Sequence, residues 1–169
     1  MKHVVMSAVV WLFLHSIQEA FGRDKFLGND GKFTATLTLK DSQNGFTGIT
    51  GLLWIIKTDG SWGRKRFTNN RMGSADQQGK LTLKQMRFLA DVLTHAQIHK
   101  LPAKIGKYRG PNPHIVALTW GKHECVWTLP SGSPIPKYPD QPFGKLTPED
   151  GFAQISQALR KMLKIPENK

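Results

Sequence analysis

HIVALTWGKHECVWTL, residues 114–129, is the stretch on which the fold turns. Two apolar-rich runs flank Gly121-Lys122, a pair suited to the type II′ turn of a two-residue β-hairpin. Such a turn sets Trp120 against His123, Leu118 against Cys125, Val116 against Trp127 and His114 against Leu129. Directly opposed residues share a face of the sheet. One face therefore carries His114, Val116, Leu118, Trp120, His123, Cys125, Trp127 and Leu129, and it is strongly apolar. The other carries Ile115, Ala117, Thr119, Glu124, Val126 and Thr128. The first face is the one that meets a core. Cys125 stands at its centre, the setting of an inert buried thiol rather than a nucleophile.

Upstream, residues 33–39 (FTATLTL) alternate, with Phe33, Ala35, Leu37 and Leu39 on one side and threonines on the other, as in a half-buried strand. Residues 41–51 (DSQNGFTGITG) read as a turn-rich connection with Phe46 in its middle. Residues 52–57 are apolar and β-prone, and Asp59-Gly60 signals a hairpin into residues 62–67. Arg64-Lys65-Arg66 is the one run of positive charge and suits an exposed edge strand, where charge blocks further pairing. Residues 69–80 are polar, contain Gly73 and Gly79, and read as a loop.

Thr82 opens a helix predicted over 82–97. Gln85 completes a capping box, and Met86, Leu89, Ala90 and Leu93 follow at helical spacing. Residues 103–112 form a Gly/Pro/Lys loop. Residues 130–145 hold five prolines, the composition of a stiff extended connector. Thr147 then caps a helix over 148–164, with Pro148 at its first position, Glu149 and Asp150 in its first turn, and a stripe of Phe152, Ile155 and Leu159. No repeat or second domain is evident. The expectation is one α+β domain over residues 33–165, an antiparallel sheet of four to five strands covered by two helices.

Residues 1–22 read as a secretory signal peptide. Lys2 supplies a positive start, residues 4–14 an apolar run, and Ala20 and Gly22 the small residues before a cut. The run of 11 residues is well short of the roughly 20 a membrane-spanning helix needs. A secreted or periplasmic protein follows, with residues 23–32 as a flexible arm. Cleavage removes one Lys and one Glu, so the net charge of +12 is unchanged. A basic exported protein suits anionic cell-surface polymers, and no motif for sequence-specific nucleic-acid binding is present. With one cysteine, no intramolecular disulfide can form.

Catalytic motifs are sparse: no G-x-S-x-G, phosphate-binding loop or G-x-G-x-x-G occurs. His123-Glu124-Cys125 lacks the second cysteine motif of zinc deaminases. His95 and His99, at helical spacing, are weak candidates for a metal, with His114 or His123 as a third ligand. Ala96 stands where a metalloprotease H-E-x-x-H has its glutamate. A pairing of Cys125 with His114 or His123 is the other candidate chemistry. The reading is of a non-enzymatic protein without a cofactor.

The order of elements, with Asn44-Gly45-Phe46-Thr47-Gly48 between early strands, a helix running into Leu101-Pro102, and Pro111-Asn112-Pro113-His114 leading into a hydrophobic hairpin, resembles emfourin-like proteinaceous inhibitors of thermolysin-like metalloproteases. The likeness spans roughly residues 33–163. Asn44 departs from the family's first glycine, and the leader, the proline-rich segment and the charge are additions. The resemblance implies a peptidase inhibitor whose partner is a secreted metallopeptidase, met by the loop Asn44, Gly45, Phe46, Thr47 and Gly48.

Overall fold

A computed structural model of the chain describes residues 25–69, 71–138 and 146–164. The leader and the end of the proline-rich segment lie outside these residues. The described chain is α+β, built on a mixed sheet of seven strands and two helices. The strands are β1 (Leu37–Gly45), β2 (Gly48–Ile56), β3 (Ser61–Thr68), β4 (Arg71–Lys80), β5 (Lys104–Ile105), β6 (His114–Trp120) and β7 (His123–Leu129), in the order β4-β3-β2-β1-β6-β7-β5. The helices are α1 (Leu83–His95) and α2 (Pro148–Met162).

The β6–β7 hairpin has the register read from its sequence, including Leu118 opposite Cys125 and Trp120 opposite His123. Gly121 takes the positive φ of 59° at the turn. The expected four to five antiparallel strands understate the sheet, for three reasons. The connection expected over residues 41–51 is instead strand on both sides of a two-residue corner, with Gly45 paired to Gly48. Its polar residues are tolerated because β1 is paired on both sides, to β2 and β6, so backbone bonding sets the strand. The polar loop expected over 69–80 is β4, an exposed strand paired, among the described residues, only to β3. Lys104 and Ile105 add a short parallel strand beside β7. The charged strand β3 is therefore interior, and β4 is the edge.

Period-2 alternation sorts the sheet into two faces. Leu37, Leu39, Trp54, Ile56, Val116, Leu118, Cys125 and Trp127 form one core with Met86, Leu89 and Leu93 of α1 and Phe152, Ile155 and Leu159 of α2. Trp127 and Phe152 meet edge to face, with ring centroids 5.4 Å apart, a favoured aromatic geometry. The opposite face has no helix in that core. It carries half-buried Leu53, Ile55, Ile115 and Val126, and the Lys40 ammonium lies 4.9 Å from the centroid of the buried Phe67 ring. The stretch expected as a loose arm is anchored at two residues: Phe26 and Leu27 are buried, and Phe26 stands edge-on to Trp120 at 5.3 Å. Apolar burial overrode the polar composition of that stretch.

Both helices open on capping boxes, Thr82 with Gln85 and Thr147 with Asp150. α1 stops at His95, short of the predicted 97, because Gln97 turns left-handed at φ 49° and a 3₁₀ turn (Ile98–Lys100) follows. Between the central strands, a Cβ on Gly51 would lie 2.2 Å from the Asp41 carbonyl and 2.8 Å from the Phe67 ring. Gly51→Ala should cost about 2–3 kcal/mol through overpacking, read as a lower urea midpoint at unchanged slope.

Candidate functional site

Phe46 and Thr47 form the corner between β1 and β2, and the Phe46 side chain is fully exposed. The base of this hairpin is pinned. Asn69 Oδ1 accepts from the Ile49 amide at 2.9 Å, Asn69 Nδ2 donates to the Thr47 carbonyl, and the Asn44 amide donates to the Pro113 carbonyl. Gly48 is required here: its φ is 100°, and a Cβ would fall 1.8 Å from Asn69 Oδ1. Ile49 and Met72, at the same end of the sheet, are also exposed. The five residues expected to form a contact loop are thus brought together as one hairpin tip.

Arg64-Lys65-Arg66 is divided by strand alternation. Arg64 and Arg66 both pair with Asp76 of β4, at 2.7 Å and 3.2 Å. Lys65 points to the opposite face, where it lines a groove of about 590 Å³ with Lys57 and Lys80 over Ile55, Gly63 and Ala75. The run is therefore not one continuous basic patch.

His95 and His99 do not share a helical face, because α1 ends at His95 and His99 lies in the 3₁₀ turn beyond the left-handed Gln97. His95 is 3.1 Å from Gln154, and His99 packs beside the Phe26 ring. Among the described residues, no group of three His, Cys, Asp or Glu could hold a metal ion. Cys125 is fully buried, and burial pushes its thiol up to about 12, which leaves it protonated and unreactive.

A cluster unforeseen from the sequence lies at the heart of the sheet. Asp41 of β1 and His114 of β6 are diagonal neighbours on the core face. Asp41 Oδ1 lies 2.7 Å from His114 Nε2, and Arg160 of α2 donates to Asp41 Oδ2. His114 Nδ1 lies 2.6 Å from the Ser133 carbonyl. Carbonyl and carboxylate are both acceptors, so both ring nitrogens carry hydrogen and His114 is an imidazolium. No lone pair remains on the ring for a general base, which removes His114 as a partner to activate Cys125. Gln43 steadies the loop that supplies Ser133: its amide donates to Asn112 O at 2.6 Å and Ser131 Oγ at 3.1 Å, while its carbonyl accepts from Gly132.

Burial pushes the Asp41 carboxyl up, but hydrogen bonds from His114 and Arg160 outweigh it and hold the group below its ordinary value. The hydrogen bond to Asp41 raises His114, against the lowering effect of burial. A signal for the cluster was present. Carrying the 33–39 alternation two residues further puts Asp41 on the core face, and the hairpin register puts His114 there too. Two polar groups on an apolar face call for each other.

No family model matches the chain, and no curated protein matches it.

Asp41→Asn removes the carboxylate shared by His114 and Arg160 and should cost about 3–5 kcal/mol in unfolding free energy. The network also sets a pH dependence. His114 titrates higher when folded, so its contribution is complete below the ordinary histidine value of 6.5 and fades as pH rises through the folded value. Asp41 titrates lower when folded, so its contribution is complete above 3.8 and fades as pH falls. Urea midpoints should decline on both sides of that interval, and His114→Gln should flatten the alkaline decline.

Proposed function

We propose that this chain is an exported, non-enzymatic binding protein, a peptidase inhibitor that meets a secreted thermolysin-like metallopeptidase through its β1–β2 hairpin tip. The observation that carries the reading is Phe46, wholly exposed on a two-residue corner whose base is pinned by Asn69. Exposing a phenylalanine side chain forgoes about 1.5–3 kcal/mol of burial, which a partner's pocket restores on binding. Ile49 and Met72, exposed at the same end of the sheet, would widen the apolar contact. The resemblance to emfourin-like inhibitors supplies the class of partner. The mature protein would work outside the cytoplasm, in the periplasm or beyond the cell.

A second reading has its own observation. The groove over Gly63 is edged by Lys57, Lys65 and Lys80 and suits an anionic cell-surface polymer. Salt separates the two, since polymer binding weakens steeply with ionic strength while an apolar anchor tolerates it.

Purified protein should inhibit a thermolysin-like peptidase at micromolar concentration, at low and high salt alike. Phe46→Ala should weaken inhibition by about 30-fold or more with the urea midpoint unchanged. Full peptidase activity in the presence of the intact protein removes the inhibitor reading. Salt-sensitive retention on an anionic polymer, lost on replacing Lys57 and Lys65 by Glu, would then favour the second.

A further inference from the structure

A cavity of about 500 Å³ opens beside the buried ion network, between α2 and the segment that follows β7. Its size falls within the roughly 300–1,000 Å³ typical of small-molecule sites. Its walls differ in chemistry. Ile135 and its flanking prolines form one apolar side, and Ala153 of α2 faces them. His114, Arg160, Lys161 and Ser156 supply the polar part. Among the described residues, no carboxylate lines the cavity.

Three observations give this polar part a sign. His114 is an imidazolium because both of its ring contacts are acceptors. Among the described residues the one carboxylate of the network is Asp41, which lies behind His114 and Arg160 and is shared by both. The Ser156 hydroxyl is buried and has no hydrogen-bond partner, although serines within helices commonly bond back to the carbonyl four residues earlier. A buried hydroxyl without a partner is costly, so an acceptor that reaches it has an advantage over an apolar group.

We propose that this cavity is a binding site for a small organic anion, a carboxylate borne on an apolar body. The carboxylate sits toward Ser156 and Lys161 in the field of the His114 imidazolium. The apolar body lies between Ile135 and Ala153. Ser156 donates its hydroxyl hydrogen after a rotation about its side-chain bond, and Lys161, exposed at the rim, closes over the second oxygen. His114 and Arg160 keep their bonds to Asp41 and act through charge alone. The site is separate from the Phe46 hairpin tip and does not depend on the peptidase reading.

The test is a titration of the isotope-labelled protein followed by amide chemical shifts, with benzoate, its uncharged analogue benzamide, and inorganic phosphate as probes. Benzoate should saturate at millimolar concentration, with the largest shifts at Ile135, Ala153 and Gln157. Benzamide and phosphate should bind at least about tenfold more weakly, the factor that loss of one charged contact or of the apolar body brings. Lys161→Glu and Ser156→Ala should each weaken benzoate about fivefold or more while leaving the rest of the spectrum in place. Any of four results overturns the proposal: no saturable shift with benzoate, equal binding of benzamide, phosphate binding as tightly as benzoate, or unchanged affinity in both variants. Peptidase inhibition measured on the same samples reports separately on the hairpin tip.

Discussion

The Asp41 carboxylate ties together three elements that are far apart in the chain. It sits in β1, bonds His114 in β6 and accepts from Arg160 in α2. Apolar contacts between the sheet and α2 are non-directional and allow many small slips. The carboxylate does not: it fixes the lateral position of α2 over the β1–β6 seam through hydrogen bonds of defined geometry. Taking these charges out of water is expensive, so the cluster adds little net stability over a well-packed apolar substitute. What it adds is position. His114 in turn holds the Ser133 carbonyl, so the start of the proline-rich segment is anchored to the same point.

The sequence makes the apolar half of the fold legible. Alternation in β6 and β7 and helical spacing with capping boxes in α1 and α2 agree between local and global structure, and those elements form as read. The polar half is hidden for one reason. Strands β1 beyond Leu39 and β4 owe their state to backbone pairing with neighbours rather than to side-chain pattern, and period-based reading cannot see a neighbour. The Asp41 cluster was lost with them, because Asp41 fell in the supposed loop and Arg160 on the polar side of a helix. The His95–His99 pairing failed differently: a helix end two residues early broke it, and boundaries are where pattern is weakest.

The Phe46 tip and the cavity lie along one strand. β1 carries Asp41 at the ion network, Gln43 two residues on, and Phe46 at the corner. Gln43 bonds both the loop before β6 and the turn after β7, and the Asn44 amide holds Pro113. The hairpin is thus bound on one side by Asn69 and on the other by the loops that frame the cavity.

Such bracing bears on affinity. A partner that captures a floppy loop must supply the entropy of ordering it, about 0.5–1.5 kcal/mol for each immobilised side chain besides the backbone term. A corner already fixed by Asn69, Asn44 and Gln43 would spare most of that cost, so that in the proposed complex a larger share of the Phe46 burial would appear as binding. The same bracing limits adaptability: a rigid tip accepts a pocket of matching shape and rejects others. On the proposed reading, a tip braced in this way favours selective contact with a preformed pocket over loose adhesion, whereas the lysine-edged groove on the open face lacks such framing.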